Sequence, residues 1–283
     1  MPELPEVETI VRGLQGGLIG QSIREVIVPR PEMVGDASAF VSQLRGRSIQ
    51  EVQRRGKFIL LRLEGLSFLV HLGMTGRLLL DPEGGSIDRH THLILLLEGG
   101  GQLCYHDPRR FGRLHLIETQ QEGSLLCLQR LGPEPLEPDF TPQVLAQRVA
   151  ASGRAIKELL LDQHQIAGIG NIYASEILHQ ARLHPLWRAR ALRPAQVRKL
   201  HRAIQEVLSR AIAHRGTTIS DYLDASGDRG GFQALLQVYG REGDPCHRCR
   251  ARIQRIVQGQ RSTFFCPRCQ AAPDPASSAP LRS

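Results

Sequence analysis

Chemistry could begin at the amino terminus of this chain, where Pro2 is followed directly by Glu3. Because position 2 is a small residue, removal of Met1 would leave the secondary amine of Pro2 beside the Glu3 carboxylate. An α-amine has a pKa of about 8 and a lysine one of about 10.4, so a larger fraction of an amino terminus is neutral at pH 7. A secondary amine that attacks a sugar aldehyde carbon also forms an iminium with no N–H to lose. The two residues therefore predict a nucleophile with an acid/base partner.

The same residues also fit an ordinary helix start. Acidic side chains are stabilised at helix N-termini by the helix dipole, and Pro5 suits a first helical turn. The apolar residues that follow have helical spacing, which predicts a buried amphipathic helix: Leu4, Val7, Ile10, Val11, Leu14 and Leu18. Taken alone, the opening residues favour the helix start over catalysis.

A second candidate site lies near the carboxyl terminus, where four cysteines form two Cys-x2-Cys pairs: Cys246, Cys249, Cys266 and Cys269. Two such pairs can close a tetrahedral zinc site, and four filled positions leave none open, so we expect a structural zinc. The arginines between the pairs would suit phosphate binding, although a solvated surface hairpin is the alternative: Arg250, Arg252, Arg255 and Arg261.

Two further turns place large side chains next to glycines. Met74 lies in the segment 71–76, and Arg109 and Phe111 lie in the segment 107–112. Such residues are usually core residues, but exposed ones could fill the space left by an extruded nucleotide. Extrusion costs a few kcal/mol, and burying one such side chain contributes about 1.5–3 kcal/mol. The comparison makes base flipping feasible.

A glycine-rich turn precedes a helical pattern at Asn171. Gly168 and Gly170 let the backbone turn tightly, and the Asn171 side chain could cap the helix. Exposed amides at a helix N-terminus bind phosphate, but a purely structural turn is the alternative.

Length and charge restrict the class of protein. A chain of 283 residues with 41% hydrophobic residues predicts two domains with sizeable cores. A net charge of +8 and an isoelectric point of about 9.6 indicate a polyanionic partner. No secretory signal or membrane-spanning run is evident, so we expect a cytosolic protein. We expect the two remaining cysteines, Cys104 and Cys127, to be buried thiols in a reducing compartment.

Two different patterns divide the chain at a cluster of prolines. Before it, short apolar runs separated by glycine-containing turns predict an antiparallel sandwich or barrel: 23–28, 48–53, 58–63, 67–72, 78–80, 93–97, 103–105 and 113–117. After it, longer runs predict helices: 144–150, 155–161, 172–181 and 194–214.

The expected fold class is therefore α+β with two domains. An antiparallel β-sandwich with an N-terminal helix would be followed by an α-helical domain that carries the zinc hairpin. The predicted boundaries are 1–132 for the first domain, 133–142 for a linker, 143–235 for the helical domain, 236–270 for the zinc hairpin and 271–283 for a disordered tail.

Taken together, these motifs resemble the formamidopyrimidine-DNA glycosylases, a family of bacterial base-excision repair enzymes. The resemblance runs from Met1 to about Gln270, which is nearly the whole chain. It rests on segments that occur in the family's order: 1–8, 54–58, 71–76, 107–112, 168–176, 237–241 and the four paired cysteines.

The resemblance implies the catalytic residues. Pro2 would be the Schiff-base nucleophile that attacks C1′ of the damaged nucleotide, and Glu3 would be the proton donor that opens the deoxyribose ring. Lys57 would position the sugar phosphate and serve the lyase steps. Arg261 is assigned both to this catalytic set and to phosphate binding.

The resemblance also implies the residues that contact DNA. Met74, Arg109 and Phe111 would fill the gap in the duplex. His90 and Asn171 would contact phosphates together with Arg261, and Lys157 matches a family position near the lesion. The segment 217–231 resembles the lid that closes over a flipped base.

The implied reaction removes an oxidised purine, chiefly 8-oxoguanine or a formamidopyrimidine, and then cleaves the strand by β,δ-elimination. The family fold is a β-sandwich followed by a helix–two-turn–helix domain with a zinc hairpin, with DNA in the cleft between. We therefore expect one structural zinc ion, damaged or abasic double-stranded DNA as the partner, a monomer, and a cytoplasmic location at the nucleoid.

Two alternatives remain open at this point. One is an endonuclease VIII-like glycosylase for oxidised pyrimidines, against which Leu4 and the set Met74, Arg109 and Phe111 argue. The other is a non-catalytic DNA-binding protein with a zinc hairpin, against which the presence of Pro2, Glu3 and Lys57 argues.

Overall fold

The computed structural model describes residues 1–81, 88–218 and 222–273. The chain divides into two compact units: the first is Met1–Gln129 with Ile212–Gln233, and the second is Arg130–Ala211 with Ala234–Ser283. The first unit thus includes most of the segment 217–231, which the sequence grouped with the helical domain. The predicted domain boundaries remain a prediction. The predicted turn at 83–85, residues 219–221 of the lid segment and residues 274–283 of the tail lie outside the described residues.

The chain begins with helix α1 (Leu4–Leu18), as the sequence predicts. Pro5 lies in its first turn, where a missing N–H costs nothing. All six of the apolar residues at helical spacing are buried. Burying each one contributes about 1.5–3 kcal/mol, so α1 is a core element that fixes the position of the residues before it.

Eight strands of the first unit form two antiparallel sheets, which confirms the predicted sandwich. The strands are β1 (Ile23–Ile27), β2 (Ile49–Arg55), β3 (Phe58–Leu63), β4 (Leu66–His71), β5 (Arg77–Asp81), β6 (Thr91–Leu97), β7 (Gln102–His106) and β8 (Arg113–Glu118). The sheet orders are β1-β6-β7-β5 and β2-β3-β4-β8. Buried side chains from both sheets and from α1 form one hydrophobic core.

An α-helix interrupts the region from Ser22 to about Ile117, which the sequence predicts to be entirely β. Helix α2 (Ala37–Leu44) begins after Asp36, whose side chain accepts the Ala39 N–H at 3.0 Å. It buries Phe40, which packs edge-on against Phe68 with ring centroids 5.6 Å apart. Helix α3 (Leu126–Gln129) is a single turn.

Helices α4 (Pro142–Ala150), α5 (Ile156–Leu161), α6 (Asn171–Ala181) and α7 (Pro194–Ala213) follow, and nearly all of this helical region belongs to the second unit. A hairpin of β9 (Gln254–Gln258) and β10 (Arg261–Phe265) completes the second unit. These elements confirm the predicted helical region with a hairpin. Among the described residues, no helix is both long and apolar enough to span a membrane.

The two isolated cysteines differ from expectation. Cys104 on β7 is only partly buried, and Cys127 in α3 is exposed. The prediction of a buried thiol is wrong for Cys127, because its short apolar run folds into one helical turn at the surface. The neighbouring Leu126 is likewise 61% exposed.

Candidate active site and zinc centre

The predicted nucleophile and proton donor immediately precede α1. Pro2 and Glu3 are both buried, whereas Met1 is 47% exposed. The Pro2 nitrogen lies in a peptide bond while Met1 is present. Removal of an exposed residue would convert it to an amine and leave the apolar face of α1 unchanged.

Glu6 holds the backbone next to these residues. Its Oε2 accepts the Glu3 N–H at 2.8 Å, and its Oε1 accepts the Thr217 N–H at 2.7 Å. Gly216 has φ of +74°, and a Cβ there would lie 2.7 Å from Glu6 Oε1, so only glycine fits. The buried carboxylate therefore ties Thr217, at the start of the predicted lid segment, to the backbone of Glu3. The sequence prediction gave Glu6 no role, although Glu3-x-x-Glu6 has capping-box spacing.

Lys57 lies in the turn between β2 and β3 and is 7% exposed. The positive charge of Lys57 acts on His71. The Nδ1 atom of His71 accepts the Gly73 N–H at 3.3 Å. Burial, with the positive charges of Lys57 and Arg113, lowers the pKa of His71 to about 4. His71 is therefore neutral at pH 7 and adds no second positive charge beside the lysine.

The predicted wedge residues are exposed, as their proposed role requires. Met74 is 44% exposed and Phe111 is 49% exposed, and the Arg109 guanidinium lies 4.7 Å from the centroid of the Phe111 ring. The two turns touch at Gly73, where a Cβ would lie 2.5 Å from the Phe111 backbone. Gly73 also has φ of +60°, so the contact requires glycine.

Asp107 is the buried anchor of both turns. Its Oδ1 accepts from Thr75 Oγ1 at 2.5 Å and from the Arg109 N–H at 3.3 Å. Its Oδ2 accepts from the Gly112 N–H at 2.9 Å and from the Tyr105 hydroxyl at 3.2 Å. One carboxylate therefore fixes the backbone around Arg109 and Phe111 and joins it to the turn that carries Met74. Sequence reasoning missed this role, because nothing in the motif distinguishes an anchor from a solvated aspartate.

His90 adjoins the same group of turns. Its carbonyl accepts the Asp107 N–H at 3.0 Å, and its Nε2 accepts from Arg89 Nε at 3.0 Å. Its ring meets His106 edge-on, with centroids 5.6 Å apart. The structure thus places His90 beside the turn of Arg109 and Phe111 within the first unit.

The other predicted DNA contacts lie in the second unit, where Lys157 is completely buried. Its Nζ donates to Asn171 Oδ1 at 2.7 Å, to Thr263 Oγ1 at 2.7 Å and to the Ser262 carbonyl at 3.2 Å. The Asn171 amide donates in turn to the Ser262 carbonyl at 2.9 Å. Lys157 therefore joins α5, α6 and β10.

Arg261 begins β10 and is exposed. It lines a hollow of about 410 Å³ together with the basic residues Arg154 and Lys157 and the acidic residues Glu158 and Asp162. The hollow therefore carries charges of both signs, and Arg154 is already paired with Asp162 at 2.9 Å.

The base of the hairpin is fixed to α6 by Glu176. The buried carboxylate accepts the backbone N–H groups of Gln237, Val238 and Tyr239, each at 2.9 Å. Burial raises the pKa of Glu176 above its ordinary value although these donors lower it. Sequence reasoning gave Glu176 no role beyond its place in the motif 168–176.

The four paired cysteines converge as the sequence predicts. All four sulfur atoms lie within 4.8 Å of one another. The Cys249 and Cys266 sulfurs are 3.4 Å apart, and those of Cys246 and Cys269 are 3.9 Å apart. Tetrahedral zinc with Zn–S bonds near 2.3 Å needs sulfurs roughly 3.8 Å apart, so the donor set fits one structural zinc ion. Bound there, zinc cross-links the hairpin.

Three family models match this chain, and together they cover nearly all of it. Residues 1–114 match the formamidopyrimidine-DNA glycosylase N-terminal domain, and residues 131–222 match the H2TH domain of the same enzymes. Residues 243–272 match a zinc finger found in FPG and IleRS.

Individual relatives match at full length. Formamidopyrimidine-DNA glycosylase of Symbiobacterium thermophilum is 44% identical, over 100% of this chain and 93% of the relative. The crystal structure of MutM (Fpg) from Thermus thermophilus has a TM-score of 0.86 at 44% identity, covering 95% of this chain and 98% of that one. Lactococcus lactis Fpg, solved with abasic-site DNA, has a TM-score of 0.89 at 37% identity, covering 95% and 100%. This chain belongs to the formamidopyrimidine-DNA glycosylase family.

Proposed function

We propose that this chain is a bifunctional DNA glycosylase and AP lyase of base-excision repair that removes oxidised purines through a Schiff base at Pro2. The main support for this proposal is the structure of the amino terminus. Pro2 and Glu3 are buried there, and the Glu6 side chain holds the Glu3 backbone. A nucleophile and a proton donor on a rigid element are what covalent catalysis needs. The family membership and the abasic-site complex of the Lactococcus relative support this function.

The first step joins enzyme and sugar. The Pro2 nitrogen, freed by loss of Met1, forms a bond to C1′ of the damaged nucleotide. The C1′–N9 bond breaks, and its electron pair leaves with the base, which takes up a proton. The bonded nitrogen loses its N–H proton, which supplies the one that the base takes up. Glu3 then donates a proton to the ring oxygen as the C1′–O4′ bond breaks, and the nitrogen lone pair converts the C1′–nitrogen bond into an iminium.

The iminium makes strand cleavage easy, because it acidifies the hydrogen on C2′. A base removes that proton, and the electron pair expels the 3′-phosphate. A second elimination expels the 5′-phosphate. Lys57 would hold the sugar phosphate during these steps. His71 is neutral at pH 7 and therefore does not repel the Lys57 ammonium.

Binding would depend on phosphate contacts and on filling the helix. His90 in the first unit and Asn171 and Arg261 in the second would contact phosphates, so affinity should fall steeply with salt. Met74 and Phe111 would fill the space of the extruded nucleotide, with Arg109 paired to the orphaned base. Each wedge would bury apolar surface worth about 1.5–3 kcal/mol, against an extrusion cost of a few kcal/mol. We further propose that the protein acts as a monomer on chromosomal DNA in the cytoplasm.

Borohydride trapping tests the Schiff base directly. Wild-type protein lacking Met1 should form a reducible cross-link to a duplex with 8-oxoguanine opposite cytosine. Pro2→Gly, or a chain that retains Met1, should lose most of the cross-link, whereas the matched control Pro5→Ala should retain it. Absence of any adduct from the mature chain would leave only a DNA-binding protein.

Glu3→Gln separates catalysis from binding. It should abolish excision of 8-oxoguanine while affinity for damaged duplex stays within a few-fold of wild type, and unchanged excision would contradict the proton-donor role. Much faster excision of thymine glycol than of 8-oxoguanine by the wild-type enzyme would show that the substrate is an oxidised pyrimidine.

A further inference from the structure

A histidine that the active site does not use faces the zinc site. His179 lies in the last turn of α6 and is completely buried. Its Nε2 lies 3.7 Å from Cys246 Sγ, within hydrogen-bonding range for sulfur. Cys246 is also completely buried. The histidine side chain is therefore in a position to modify the charge of one zinc ligand.

The surroundings of the imidazole decide which nitrogen carries its proton. Within the part of the chain that the structure describes, His179 Nδ1 has no hydrogen-bond partner. A proton on Nδ1 would bury an unpaired N–H and turn the Nε2 lone pair toward a zinc-bound thiolate. A proton on Nε2 instead donates to that thiolate and leaves only an acceptor unpaired. The form protonated on Nε2 therefore costs less free energy, because it leaves only the Nδ1 lone pair unpaired and points no lone pair at the thiolate.

The position of His179 is fixed by the hairpin itself. Arg248, which lies between Cys246 and Cys249, donates from Nη1 to the His179 carbonyl at 3.1 Å and from Nη2 to Gln180 Oε1 at 2.5 Å. The first cysteine pair is thus held against the end of α6. This contact supplements those of Glu176 and Asn171 earlier on the same helix.

We propose that His179 is an outer-sphere donor to the zinc site, with its Nε2–H hydrogen-bonded to the Cys246 thiolate. Four thiolates on one Zn²⁺ carry a net charge of −2, and a donor to one sulfur spreads that charge. The thiolate then becomes a poorer target for competing protons and metals. Outer-sphere partners of this kind typically change metal affinity by about 10- to 100-fold. His179 is thus a positioning residue for zinc and takes no part in the DNA chemistry.

Zinc transfer to a chromophoric chelator from the full-length zinc-loaded protein tests this inference. His179→Phe keeps a flat ring but has no donor, and we expect it to release zinc about tenfold faster or more. His179→Gln places an N–H at a similar reach and should restore release to within about threefold of wild type. His201→Phe is the matched control, since His201 is also buried in the second unit but bonds the Phe140 carbonyl at 2.6 Å.

Three results would overturn the inference. Wild-type release from His179→Phe would show that the contact does not matter. If His179→Phe, His179→Gln and the control His201→Phe all released zinc equally faster than wild type, the effect would be a loss of packing only. In Co²⁺-loaded protein, the thiolate-to-cobalt charge-transfer band should shift in His179→Phe but keep the intensity of four thiolates. A wild-type spectrum with three thiolates and one nitrogen would make His179 a ligand.

Discussion

Lys157 donates from Nζ to Asn171 Oδ1 at 2.7 Å, and this bond determines which groups the amide presents. With Oδ1 accepting from the ammonium, the amide nitrogen is the group of Asn171 that is left to donate. One of its N–H groups goes to the Ser262 carbonyl at 2.9 Å. The second is the one that we expect to meet a phosphate. Lys157 would then act on DNA by orienting Asn171.

Lys157→Met tests that relationship. The substitution leaves Asn171 Oδ1 and Thr263 Oγ1 without their buried donor, so the free energy of unfolding should fall by about 1–3 kcal/mol. Affinity for a duplex with an abasic-site analogue, measured by fluorescence anisotropy, should fall about tenfold, or ~1.4 kcal/mol. Lys199→Met on α7 is the control, because it also removes one positive charge but from an exposed site. It should change neither the free energy of unfolding nor the free energy of DNA binding by more than about half of 1.4 kcal/mol. A stability loss with unchanged affinity would mean that the orientation of Asn171 is unimportant.

Glu6→Gln tests the link between the amino terminus and the lid segment. The amide has one acceptor oxygen, so either the Glu3 N–H or the Thr217 N–H loses its partner in a buried site. We expect a loss of about 1–3 kcal/mol in the free energy of unfolding. The single-turnover rate of 8-oxoguanine excision should fall more than the affinity for abasic-site DNA does. Glu25→Gln removes an equal charge from an exposed position on β1 and serves as the control. Equal effects of both variants would argue against a positioning role.

Most of the fold follows from local patterns in the sequence. The helical spacing of apolar residues predicts α1, and every predicted β run overlaps a strand. The observed strand ends differ from the predicted ones by one or two residues, because hydrogen-bond pairing between strands determines where a strand ends. Arg77, for example, belongs to β5 because it pairs with His106. Helix α2 was missed because eight residues give too few turns for a periodic signal.

The site divides in the same way. The paired cysteines are recognisable because the Cys-x2-Cys spacing is local, whereas Pro2 and Glu3 become candidates only through the resemblance of the whole chain to the family. The bond from the Thr217 N–H to Glu6 joins residues 211 positions apart, and no local pattern encodes it. The inward direction of the Lys157 ammonium likewise depends on Thr263, 106 positions away. Only the burial created by tertiary packing therefore shows that the Lys157 side chain points inward.

His71 predicts a loss of stability in acid. Its pKa in the folded state is about 4, below its ordinary value of 6.5, because of burial and the charges of Lys57 and Arg113. The unfolded chain therefore takes up the proton first, so this contribution is complete above pH 6.5 and is lost as the pH falls toward 4. The loss is at most about 3 kcal/mol. His71→Gln should flatten the dependence of unfolding free energy on pH across this window in urea titrations. The exposed control His214→Gln should retain the wild-type slope, and a wild-type slope in His71→Gln would contradict the assignment.

Asp107→Asn tests whether one buried carboxylate holds the wedge residues. An amide has an N–H₂ group where Asp107 presents one of its two acceptors, so the bonds from the Gly112 N–H and the Arg109 N–H cannot both survive. The free energy of unfolding should fall by about 1–3 kcal/mol. The turns of Met74 and Phe111 would loosen, and excision of 8-oxoguanine from duplex DNA should slow about tenfold, or ~1.4 kcal/mol.

Cleavage at a preformed abasic site should slow much less in Asp107→Asn, because no base then has to be extruded. Asp139→Asn, at an exposed position in the second unit, is the control for loss of one carboxylate. Equal slowing of excision and abasic-site cleavage would place the effect of Asp107 in the chemical steps, because wedges assist only the reaction that begins with a stacked base.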